Sequence, residues 1–117
     1  MDKTQPIEAF PLCWPMTRQR AKYREASNFR TTFGKARDVT AREVRNLGGT
    51  GLIISTNIEL KRDGLPYANF KTPDDPGVAV YFIYKKRQMC FACDRWKLTT
   101  DNMQAIAKTI EALRGVA

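Results

Sequence analysis

The stretch VAVYFIYKKRQMCFACDRW, residues 78–96, decides how this chain reads. Residues 78–84 are almost wholly apolar, which predicts a strand covered on both faces. Lys85, Lys86 and Arg87 form a charged turn, and residues 89–93 form the return strand of a hairpin. Side chains alternate faces along a strand with a period of two. Met89, Phe91 and Cys93 therefore share one face, and Cys90 and Ala92 the other. The C-x-x-C spacing of Cys90 and Cys93 puts the two sulfurs on opposite faces, where they cannot converge on one metal or close a disulfide. Redox C-x-x-C pairs sit at a helix N-terminus, where the dipole lowers the thiol pKa. These two cysteines read as small core residues instead.

Composition narrows the chemistry. The chain has 117 residues, enough for one domain. No apolar run approaches the ~20 residues of a membrane helix, and the N-terminus lacks the pattern of a secretion signal. Three cysteines without such a signal suggest reduced thiols and a cytoplasmic setting. Histidine is absent, which excludes a Ser-His-Asp triad, a Cys-His nucleophile and any His-containing metal site. The net charge of +8 favours a polyanionic partner, nucleic acid first, over an acidic protein.

Working outward from the hairpin, residues 1–15 are Pro-rich and read as an extended arm. Pro6, Pro11 and Pro15 oppose helix, and the alternation of Phe10, Leu12 and Trp14 suggests an edge packed on the body. Residues 16–45 carry nine arginines and lysines, Arg30 among them, against Glu25, Asp38 and Glu43. Within them Ala36, Val39, Val44 and Leu47 trace a helical stripe. Thr40 and Glu43 fit a capping box, with a start nearer Lys35 as the alternative, and Gly48-Gly49 is the stop. Leu52, Ile53 and Ile54 read as a buried strand. Asp63-Gly64 marks a turn between residues 58–60 and 65–67, a small hairpin. Residues 71–77 read as a surface loop. Thr99 or Thr100 is expected to cap a final helix whose apolar face is Met103, Ile106, Ala107, Ile110 and Leu113. The expected fold is α+β: a three- or four-stranded antiparallel sheet covered by helices, in the order α-β-β-β-α after the arm. Residues 16–117 form the single domain.

Ser55-Thr56-Asn57, Arg62 to Tyr67, Asp74 to Phe82, Ala92 to Trp96 and Asp101 to Gly115 occur together in a recognisable order. In this the chain, over roughly residues 10–115, resembles the N-terminal region of small phage, prophage and bacterial proteins labelled J-domain (DnaJ-like) proteins. In that family an Arg-Trp-Gly stretch follows the last helix and a J-like domain often lies beyond. This chain stops at Val116-Ala117 and has no His-Pro-Asp tripeptide, the element through which a J domain stimulates an Hsp70. The resemblance implies a phage or prophage origin and a bacterial cytoplasm, and supplies no reaction.

Three functions follow as expectations. The first is a non-catalytic nucleic-acid-associated module, without cofactor or metal. It would hold phosphates through Arg18, Arg20, Lys22 and Arg24 and through Lys85, Lys86 and Arg87, with Tyr23, Phe29 or Trp14 stacking on bases. The element order invites comparison with double-stranded-RNA-binding domains, but Thr99, Thr100 and Asp101 stand where those domains carry lysines. The second is a protein-binding inhibitor or adaptor acting on a host complex, presenting Ser55, Thr56, Asn57, Asp63, Asp94, Arg95 and Trp96. The plainer reading of Asp94-Arg95-Trp96 is an Arg–carboxylate pair with an aromatic lid, and that of Ser55-Thr56-Asn57 a strand end closed by side-chain hydrogen bonds. The third is a Mg²⁺-dependent nuclease. It would be built on Glu59-Leu60-Lys61 with Asp38, Glu43 or Asp75 as the partner acid.

Overall fold

The computed structural model describes residues 7–26 and 31–115; Pro6, Phe29 and Arg30 of the sequence reading lie outside the described residues. In chain order the elements are β1 (Ile7–Ala9), α1 (Phe33–Leu47), β2 (Thr50–Thr56), β3 (Val78–Tyr84), β4 (Arg87–Cys93) and α2 (Thr99–Gly115). The fold is α+β. Its open sheet has the order β1-β2-β3-β4. β2, β3 and β4 are antiparallel, as expected. The sheet as a whole is mixed, because the arm supplies β1, which runs parallel to β2. The link from β1 to β2 passes through α1, and such a crossover is the kind of connection that parallel neighbours need.

Period-two alternation sorts the sheet into two faces. One carries Leu52, Ile54, Val78, Val80 and Phe82 against Phe33, Ala36, Val44, Met103, Ile106 and Ile110 of the helices. Met89, Phe91 and Cys93 pack half-buried on this core, and the Phe82 and Phe91 rings stack at 5.7 Å. The chain after β1 lies on the opposite face. There the Cys13 N–H donates to Ser55 Oγ at 2.6 Å, and the Tyr81 hydroxyl donates to the Cys13 carbonyl at 2.5 Å. This cover stops short of the far end of β3, so Ile83 is 42% exposed. The expectation of a strand covered on both faces therefore holds at Val78, Ala79 and Val80 and fails at Ile83.

Local chemistry sets the ends of α1. Thr32 is the N-cap, its side chain accepting from the Lys35 N–H. Gly48 ends the helix at φ 100°, a left-handed conformation that glycine adopts without a Cβ clash. The expected capping box lies inside the helix. Thr40 Oγ1 bonds back to the Ala36 carbonyl at 2.8 Å, and the buried Glu43 carboxylate accepts from Arg114 Nε of α2 at 2.9 Å. At α2 the Leu98 carbonyl accepts from the N–H groups of Asp101 and Asn102. Thr99 is the first helical residue and its buried hydroxyl has no partner, so it is not the expected cap. Leu113, assigned from the sequence to the apolar face, is 47% exposed. The small hairpin reduces to one bridge, Leu60 with Pro66. Among the described residues no helix is long and apolar enough to cross a membrane.

Candidate functional site

The sheet has two chemically opposite ends. At one end the C-terminal ends of β2 and β4, the N-terminal end of β3 and the start of α2 meet the arm in a polar knot. Asp94, directly after β4, is 5% exposed. Its carboxylate accepts from Arg20 Nε at 2.7 Å and from the Ala21 N–H at 3.0 Å. Arg24 donates through Nε to the Asp94 carbonyl at 3.0 Å and through Nη2 to the carboxylate at 3.4 Å. Arg20 also donates to Asp75 and lies over the Trp14 ring, 4.3 Å from its centroid. Burial alone would raise the Asp75 carboxyl, but Arg20, the Gly77 N–H and the Arg24 charge together outweigh it and hold the group below its ordinary value. A Cβ on Gly77 would sit 3.1–3.2 Å from the side chains of Leu12, Arg20 and Asp75, so any larger residue would press on the arm.

The motif residues belong to the same knot. Ser55 and Asn57 accept from the Cys13 and Leu12 N–H groups, and Thr56 Oγ1 accepts from the Ile58 N–H. Arg95 bonds Glu25 at 3.0 Å and lies over the Trp96 ring. Asn102, fully buried, is the hub. Its Oδ1 accepts from the Trp96 N–H at 2.8 Å, and its Nδ2 donates to the Pro76 and Trp96 carbonyls at 2.9 and 3.0 Å. Asp63 stands apart in its own turn, where Arg37 donates to its carbonyl at 3.2 Å. The expected presenting surface is thus largely spent on holding the arm. So are two of the expected phosphate ligands, Arg20 and Arg24, and the stacking candidate Trp14.

The other end carries cations that form no ion pair among the described residues. Lys85 and Lys86 form a two-residue turn between β3 and β4, with φ of 50° and 65°. Arg87 follows as the first residue of β4. Thr50 pairs with Ile83, and a Cβ on Gly48 would lie 3.9 Å from the Tyr84 ring. The C-terminal turn of α1, with Arg45, is therefore at this same end. A cavity of about 260 Å³ opens there, lined by Ala41, Val44, Arg45 and residues 49–52. Lys85 Nζ sits over the Tyr84 ring at 5.2 Å. Arg18 lies against the C-terminal half of β4, toward the knot, lining a second hollow with Phe91, Ala92 and Cys93. Among the described residues none of Arg18, Lys22, Arg45, Lys85, Lys86 and Arg87 forms an ion pair. The α1 C-terminus opposes anions with roughly half a negative charge, which four full positive charges at this end exceed.

The remaining acids do not assemble. Glu59 is exposed, Lys61 pairs with Asp63 at 3.7 Å, Glu43 is bonded to Arg114 and Asp75 to Arg20. Among the described residues no three His, Cys, Asp or Glu side chains converge on a metal position. Cys93 donates to Asn102 Oδ1 on the helix side, while Cys90 borders Tyr81 on the far face. No family model, no curated protein and no solved structure matches the chain.

Arg45, which lines the cavity at the tip, and Asn102, the hub of the knot, are not singled out by the sequence. The signal for Asn102 was an amide four residues before Ile106, on the apolar face of a helix. A polar group there must find partners inside.

Proposed function

We propose that this chain is a non-catalytic basic module that binds nucleic acid through its hairpin tip. The observation that carries this is the pair of lysines at positive φ. A two-residue turn with both residues left-handed favours Asn-Gly. A residue with a Cβ costs about 1–2 kcal/mol in that conformation. Lysine at both positions runs against local preference, and such strain gathers at functional sites. The result is three exposed cationic residues, Lys85, Lys86 and Arg87, at the hairpin end that Arg45 shares. Arg18 and Lys22, which form no ion pair among the described residues, add positive charge nearer the knot. Lysine and arginine neutralise phosphates without reading bases, so binding should be sequence-tolerant and steeply salt-dependent. The phage or prophage origin implied by the resemblance, and a cytoplasmic setting, are part of the same proposal.

The test is fluorescence anisotropy with labelled single- and double-stranded DNA and RNA at rising salt. Binding that falls with salt, and falls further when Lys85, Lys86 and Arg87 become serine, supports the reading. No binding at low salt ends it. The open edge of β4 and the exposed Ile83 and Tyr23 favour a second reading, a protein-binding adaptor engaging an acidic host protein. That reading gives no oligonucleotide binding at any salt.

A further inference from the structure

The far face of the sheet holds a side-chain cluster that the binding reading does not use. Tyr81 and Cys90 are directly opposed across β3 and β4. The chain after β1 brings Cys13 onto the same tyrosine, whose hydroxyl donates to the Cys13 carbonyl at 2.5 Å. Both thiols border that hydroxyl, and both residues are exposed and free. The one hydroxyl that borders both thiols puts Cys13 and Cys90 on the same patch of this face. Burial, with the two thiols as neighbours, pushes the Tyr81 phenol up to about 12, so it stays a hydrogen-bond donor. Cys93 is kept out, on the opposite face and bonded to Asn102.

We propose that Cys13 and Cys90 form an oxidative modification site, in which a low-molecular-weight disulfide links them and ties the arm to β4. The Cys13 thiolate attacks one sulfur of the oxidant, RSSR. The oxidant's S–S bond breaks, a Cys13–SR bond forms and RS⁻ leaves. Cys90 then loses its proton and its sulfur attacks the Cys13 sulfur. The protein disulfide forms and a second RS⁻ leaves. The two leaving thiolates take up the two protons that the cysteines released. Net, two protein thiols are oxidised and RSSR is reduced to two RSH. Burial pushes the Cys90 thiol up, which suits it to the second, resolving step. The link would fix the segment from which Arg18 and Lys22 follow, but its formation does not depend on what those residues bind.

The test treats the full chain with glutathione disulfide under native conditions and reads intact mass, then tryptic peptides. Wild type and Cys93→Ser are expected to lose two hydrogens and to join peptide 4–18 to peptide 88–95. The Cys93→Ser background makes Cys90 the only thiol left in the second peptide. Cys13→Ser and Cys90→Ser are expected to end as glutathione adducts. Cys13→Ser keeps the backbone N–H and carbonyl that hold the arm, so its fold is not at risk from the missing thiol. In guanidinium the preference for Cys90 over Cys93 as partner of Cys13 should vanish. Wild type that carries glutathione on both residues with no internal link, or a link through Cys93, overturns the proposal.

Discussion

The two ends of this sheet use the same residue types for opposite purposes. At the knot, Arg20 and Arg24 are matched by Asp75 and Asp94, and side-chain hydrogen bonds of Ser55, Asn57 and Asn102 tie the strand ends to the arm and to α2. At the tip, Lys85, Lys86, Arg87 and Arg45 form no ion pair among the described residues. Buried acids and cations that saturate one another build structure. Unmatched cations on a strained turn leave charge available to a partner. Net charge alone cannot separate the two cases; the presence or absence of a carboxylate at each cation does.

Substitutions at the two ends should therefore separate stability from binding. The largest stability effect is expected at Asn102→Ala. It removes the amide that bonds the Trp96 N–H and the Pro76 and Trp96 carbonyls, at a cost of about 2–4 kcal/mol, read by urea unfolding. Binding to an oligonucleotide, measured where the variant is folded, should be unchanged. A fall in affinity with no loss of stability would erase the distinction between the ends.

The reverse pattern is expected at the turn. Replacing Lys85-Lys86 by Asn-Gly should raise stability by about 1–2 kcal/mol by relieving the left-handed strain. The same change should weaken oligonucleotide binding and reduce its salt slope by about 0.9 for each phosphate that is no longer neutralised. A drop in stability here would mean that the lysines are structural.

Arg20 and Arg18 are two positions apart in sequence and on opposite sides of the comparison. Arg20→Ala should cost about 1–2 kcal/mol, chiefly through the buried Asp94 carboxylate and little through the exposed Asp75 side. Arg18→Ala should change stability by no more than about 0.5 kcal/mol and weaken binding. Paired melts and titrations check both.

The smallest effect is that of acid. Because Asp75 is held below its ordinary value in the folded state, its contribution is complete above that value and is lost as pH falls through the folded one. Stability should drop below about pH 4, and Asp75→Asn should flatten that part of the thermal-melt profile.

Much of this architecture was legible in the sequence, and what was not has a common cause. The β3–β4 hairpin, the Gly48 stop and the face on which each cysteine lies follow from local rules, namely period two and left-handed glycine. Of the two starts the sequence offered for α1, the one nearer Lys35 holds; Thr40 and Glu43 satisfy a local capping pattern, but their partners are Ala36 and Arg114. The arm's parallel strand and the pairing of Arg20 with Asp94, 74 positions away, are long-range events that leave no periodic trace. The seven expected phosphate ligands split for this reason. Composition shows that cations are present, and only the fold shows which of them already have a carboxylate.

The measurement that tests this account most directly is the salt dependence of oligonucleotide binding by wild type, by Lys85→Ser/Lys86→Ser/Arg87→Ser and by Arg20→Ala. The account predicts a shallower slope and weaker binding for the tip variant alone, with Arg20→Ala binding as wild type does wherever it is folded. Equal slopes for wild type and the tip variant, or a slope lowered only by Arg20→Ala, would contradict it.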